Sequence, residues 1–132
     1  MKYALASGLM LILSLLGPDS GHAQSATAST PTTKILAIGT VNPGVDPASV
    51  FAILPDEVRN TVDLYLDGKI DQWYSLRDRR GVVFILNVTD PAAARDMLEK
   101  LPLGQAHLMS FELIPLGPLA PLRRLPGMAA KQ

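Results

Sequence analysis

The sequence predicts an α+β fold, a ferredoxin-like βαββαβ sandwich with sheet order 4-1-3-2, and three observations carry that expectation. Across residues 34–116 the residue patterns alternate strand, helix, strand, strand, helix, strand. Two of the strands, residues 34–41 and 82–88, are nearly continuous apolar runs, as central strands buried on both faces should be. The other two, residues 70–77 and 107–114, mix in Asp71, Gln72, Ser75, Ser110 and Glu112, as edge strands tolerate. Two helices can cover only one face of such a sheet. The other face must be buried against something, and a second copy of the chain is the expected cover, as a homodimer or higher homo-oligomer with a sheet-lined cavity.

The elements follow in order. The first strand is ended by Asn42-Pro43-Gly44, and Asp46-Pro47 then signals a helix start, with Asp as cap and Pro in the first turn. Val50, Leu54, Val58, Val62 and Tyr65 recur at helical spacing. Pro55 interrupts that run, predicting a short turn from Pro47 and a restart with Asp56 and Glu57 near a new N-terminus, where the helix dipole accounts for a carboxylate. Gly68 sits where a C-terminal glycine belongs. Asp78-Arg79-Arg80-Gly81 is a tight polar turn between the second and third strands, predicting an antiparallel hairpin with the arginines in solvent. Asp90-Pro91 repeats the cap signal. Ala94, Met97, Leu98 and Leu101 form the stripe of a second helix, which Pro102 stops before the last strand.

The ends divide the chain further. Residues 1–23 have the form of a secretory signal: Lys2, an apolar run from Ala4 to Leu16, a Gly17-Pro18 break, and small residues at Gly21 and Ala23 before the cleavage point. Export to the periplasm or beyond is expected, with no membrane association after cleavage. Residues 24–33 are a Ser, Ala and Thr spacer, residues 34–116 the folded domain, and residues 117–132 a Pro-rich tail. That tail is expected to be either disordered or an arm laid over a partner subunit, and Leu119, Leu122 and Leu125, recurring by three around Arg123-Arg124, suit the arm. Cleavage removes one basic residue, Lys2, and one acidic residue, Asp19, so the mature chain keeps a formal net charge of zero. A neutral chain without a basic stripe gives no electrostatic case for nucleic acid. Cysteine is absent, which excludes disulfides, thiolate metal sites and a cysteine nucleophile. With His107 the only histidine outside the signal, no metal site is expected.

Strict strand alternation puts Asp71, Trp73, Ser75 and Arg77 on one face, and Ile70, Gln72, Tyr74 and Leu76 on the other. The first set suits a small anionic or aromatic ligand, with Arg77 gripping a carboxylate and Trp73 stacking; it equally suits a plain exposed edge strand. Glu112 stands among Leu, Met, Phe and Ile, where a carboxylate can have a raised pKa and shuttle a proton, or can simply be solvated. His107 is the reserve base or a loop residue.

Across residues 34–116 the chain resembles the muconolactone isomerase-like branch of the dimeric α+β barrel superfamily. The resemblance rests on the element order, Pro55-Asp56-Glu57 opening the main helix, Asp67-Gly68 closing it, the pair Trp73-Tyr74, and Leu101-Pro102-Leu103 before an acidic final strand. It departs in the signal segment and in a hairpin turn without histidine. The resemblance implies two sheets packed face to face, a cleft between sheet and helices or between subunits, and no cofactor. It further implies a proton-shifting isomerase acting on a small lactone or aromatic-derived acid. Glu112 or His107 is then the expected base, Arg77 and Asp71 the polar substrate contacts, and Trp73 with Tyr74 the groups that exclude water. A non-catalytic ligand-binding or structural barrel module and a cofactor-free monooxygenase are the alternative readings.

Overall fold

The computed structural model describes residues 30–127; the expected signal segment, residues 24–29 of the spacer and residues 128–132 lie outside them. Four strands, β1 (Lys34–Val41), β2 (Ile70–Ser75), β3 (Gly81–Leu86) and β4 (Met109–Leu116), form one antiparallel sheet in the order β2-β3-β1-β4. The apolar runs are the two central strands. The connections are α1 (Pro47–Leu66) after β1, and α2 (Pro91–Glu99) with the short α3 (Pro102–Gln105) after β3. The chain therefore has a ferredoxin-like α+β fold.

The helix starts form for local reasons. Asp46 Oδ1 accepts from the Ala48 N–H at 3.1 Å, and Asp90 accepts from the N–H groups of Ala92 and Ala93, satisfying donors that a first turn leaves free. Gly68, at φ 73°, closes α1 by donating to the Tyr65 carbonyl, while Lys69 N–H reaches the Leu64 carbonyl. Contrary to the expected break, α1 runs unbroken through Pro55 for 20 residues. A proline removes only the bond to the carbonyl four residues earlier, here Phe51, on a turn whose side chain is 67% exposed, so water can serve that carbonyl. One consequence is large: Glu57 lies mid-helix rather than in a first turn.

Strand ends also shift. β2 stops at Ser75, leaving Arg77 in the turn, and β4 begins at Met109, leaving His107 before it in a left-handed conformation at φ 55°. The β2–β3 register slips between Ile70 and Gln72, so Ile70 opposes Leu86 while Trp73 opposes Phe84. That bulge places Trp73 on the same face as Ile70, where strict alternation had separated them. In the hairpin, Gly81 lies against β1; a Cβ there would fall 2.3 Å from the Gly39 carbonyl oxygen, so no other residue fits.

The core fills the helix-covered face. Ile35, Ala37, Phe84, Leu86 and Phe111 project from the sheet onto Ala94, Leu98 and Leu101. Each fully buried large side chain contributes about 1.5–3 kcal/mol relative to exposure. The opposite face carries Leu36, Ile38, Val83, Ile85 and Ile114, none of them buried in the single chain.

Candidate functional site

Between α1 and the helix side of the sheet, toward the β2 edge, lies a cleft of about 610 Å³. Val50, Leu54, Val58 and Val62 of α1 form one wall, and Trp73, Val82, Phe84 and Met109 of the sheet form the other. The size suits a small organic ligand, since such pockets run roughly 300–1,000 Å³. Trp73 is packed against Tyr65 with ring centroids 4.8 Å apart, which fixes the indole as part of the rim.

Glu57 is the one acidic side chain lining this cleft, and it is buried, 7% exposed. Its Oε2 accepts from the backbone N–H of Leu103 at 2.8 Å. That donor is a free N–H of the first turn of α3, so the carboxyl completes a helix end that has no side-chain cap of its own. The other carboxyl oxygen accepts from no donor among the described residues and is not sealed from solvent, and Glu57 is one of the residues that line the cleft. Burial pushes the Glu57 carboxyl above its ordinary value of 4.5, and the Leu103 hydrogen bond offsets part of that rise.

A pH dependence follows. Because the folded chain holds this proton more tightly than the unfolded chain, the associated stability is fully present below the unfolded pKa. It is lost as pH rises through the higher folded value. Urea midpoints measured across pH are therefore expected to fall for the wild type relative to Glu57→Gln on titration upward from 4.5. The amide keeps an acceptor for Leu103 but does not titrate. Glu57→Ala strands a buried N–H and is expected to cost about 1–3 kcal/mol at every pH. A wild-type minus Glu57→Gln difference that stays flat with pH would refute the buried-proton account.

The residues singled out from sequence fall in three places. Trp73 and Tyr74 line the cleft. Asp71, turned out by the bulge, pairs with Lys34 Nζ at 3.0 Å on the open sheet face; Arg77 is exposed in the hairpin turn. Glu112 opposes Ile38 on that same open face and is exposed, while His107 is exposed and gives its carbonyl to Asn42 Nδ2 at 2.8 Å. None of Asp71, Arg77, His107 and Glu112 lines the cleft. Two residues that do are Glu57, which the sequence pattern attributes to a helix dipole, and Arg80, which it attributes to a solvated turn. Arg79 does pair with Asp78 at 2.9 Å, but Arg80 lines the cleft mouth, donates only to the Val45 carbonyl at 3.4 Å, and has no acidic partner among the described residues.

The site is thus an apolar slot in a ferredoxin-like α+β fold, with one carboxyl on its floor and one cation at its mouth. Among solved structures the chain is similar to the crystal structure of muconolactone isomerase, at 20% sequence identity and a TM-score of 0.52, over 75% of this chain and 97% of that one. At that identity the likeness establishes a muconolactone isomerase-like fold. Neither a protein-family model nor a curated protein sequence matches the chain.

Proposed function

We propose that this chain is an exported, homo-oligomeric, cofactor-independent isomerase that shifts a proton within a small lactone or aromatic-derived acid. The observation that supports it most is the buried Glu57 carboxyl, which lines an apolar cleft and has one oxygen without a donor among the described residues and not sealed from solvent. A 1,3 proton shift beside a carbonyl needs a base that takes a proton from one carbon and returns it to another. A single carboxyl can do both when burial lifts its pKa toward neutrality, because it is then a stronger base once ionised. Arg80 supplies the charge to hold a substrate carboxylate at the mouth, and Trp73 with the α1 valines keeps water out. The fold likeness to muconolactone isomerase supports the same reaction class.

The second reading is a ligand-binding module. It draws on the same carboxyl, since a neutral buried acid can hydrogen-bond a ligand without moving a proton. A panel of small lactones and aromatic acids, assayed for turnover and for thermal shift with the chain beginning at Gln24, separates the two. Turnover supports the isomerase; thermal shifts without turnover support the module. Export is expected to leave a mature N-terminus at Gln24, read as the intact mass of protein recovered from the periplasm. An unprocessed chain in the soluble cytoplasm would refute it.

A further inference from the structure

The cleft is longer than a small lactone needs. Its α1 wall runs from Pro47 to Val62, roughly 22 Å of helix axis at about 1.5 Å per residue. Val50, Leu54, Val58 and Val62 line it along that length, with Phe84 and Trp73 on the sheet side.

Two polar side chains of the lining are already spent within the chain. Thr61 Oγ1 donates to the Glu57 carbonyl at 2.8 Å, and the Tyr74 hydroxyl donates to Gln72 Oε1 at 2.8 Å. Two ionisable side chains remain for a ligand. Glu57 lies well along the wall, with one carboxyl oxygen that accepts from no donor among the described residues. Arg80 stands at one end. Its guanidinium donates to the Val45 carbonyl, directly before the Asp46 cap that opens α1, and no acidic side chain pairs with it among the described residues.

A cation at one end of a long apolar slot matches a ligand with an anion at one end and an apolar body. A short acid gripped at Arg80 would leave the stretch past Val58 facing water, and every methylene added along it is taken out of water. The bare sheet face lacks that combination. Its cation, Lys34, is already paired with Asp71, and Glu112 has the wrong sign for an acid.

We infer that the cleft takes an elongated aliphatic monocarboxylic acid, its carboxylate on Arg80 and its chain along α1 toward Trp73. A carbonyl or hydroxyl part-way along that chain meets the Glu57 carboxyl. This names the substrate class of the site read above as an isomerase's, and it rests on that reading only for the reacting group beside Glu57.

The test is calorimetric titration of the chain beginning at Gln24 with hexanoate, decanoate and tetradecanoate, and with decanol as the uncharged match, all below micelle-forming concentrations. Affinity is expected to rise about fourfold per added methylene from hexanoate to decanoate. Decanoate should also protect Trp73, the only tryptophan, from acrylamide quenching. Arg80→Ala is expected to weaken decanoate about tenfold or more and to leave decanol unchanged. Val58→Asp places charge in the slot at a position exposed enough to tolerate it, and should weaken both ligands, with circular dichroism checking the fold. Affinity that does not grow with chain length overturns the inference. So does an Arg80→Ala loss equal for acid and alcohol, or decanoate binding that leaves Trp73 quenching unchanged. Binding of the long acids without turnover of any acid or lactone would sink the isomerase reading alone. Turnover of a small lactone with no chain-length dependence would sink this inference alone.

Discussion

Replacing Glu57 by glutamine is expected to lower turnover of a lactone substrate by about a hundredfold or more, the ordinary contribution of a positioned acid–base group. The substitution is close to isosteric and leaves an acceptor for the Leu103 N–H, so the α1–α3 junction should stay closed and the chain folded. What it removes is the ability to take and return a proton. In the wild type, the rate should rise with pH along a limb displaced above the ordinary carboxylate range, because burial raises the Glu57 pKa. The variant should lack that limb. Arg80→Ala should raise KM more than it lowers kcat, since Arg80 sits at the mouth rather than the floor. By contrast Glu112→Gln and His107→Ala are expected to keep nearly full turnover, both side chains being exposed outside the cleft. Wild-type rates and an unshifted pH limb in Glu57→Gln would remove Glu57 from the chemistry.

Glu57 carries no local sequence signal of its burial. Its burial depends on Leu103, 46 residues away, whose short helix folds back over α1 and offers a free N–H. The local pattern places a carboxylate just after Pro55, where a helix dipole would account for it, because a proline is expected to divide a helix that in fact continues through it. Glu112 is the opposite case. Its apolar neighbours Phe111 and Leu113 face the core, but alternation turns Glu112 itself to the open face, so apolar neighbours in sequence were not neighbours in space. The β2 bulge has no residue signature in Ile70-Asp71-Gln72, yet it decides that Trp73, not Asp71, faces the cleft. Arg80 was hidden by its resemblance to Arg79, and only the return of the hairpin toward Val45 separates them.

The architecture was far more legible, because it rests on signals that are themselves local or periodic. Doubly apolar runs became β1 and β3, the Asp-Pro pairs became helix caps, and their mixed counterparts became edges. The same composition leaves a consequence that the single chain does not resolve. Leu36, Ile38, Val83 and Ile85 stand together on the face that no helix covers, with Ile114 beside them at 39% exposure.

Placing charge on that face is therefore expected to have a large effect on assembly. Ile38 lies at its centre, paired with Val83 on one side and Glu112 on the other. The wild-type chain beginning at Gln24 is expected to elute as a dimer or larger at micromolar concentration in light scattering. Ile38→Asp with Val83→Asp should convert it to monomer. Two carboxylates opposite one another would have to be desolvated together in the closed interface, and an unpaired buried charge costs several kcal/mol each. In the isolated chain the same groups remain in water, so far-UV circular dichroism should be unchanged. The loss is then one of association rather than folding. The direction of these side chains also keeps the test separate from the cleft, which lies on the other side of the sheet. A wild type that is already a monodisperse monomer at that concentration would overturn the pairing of the sheets, and an undiminished oligomer in the doubly charged variant would place the subunit contact elsewhere on the chain.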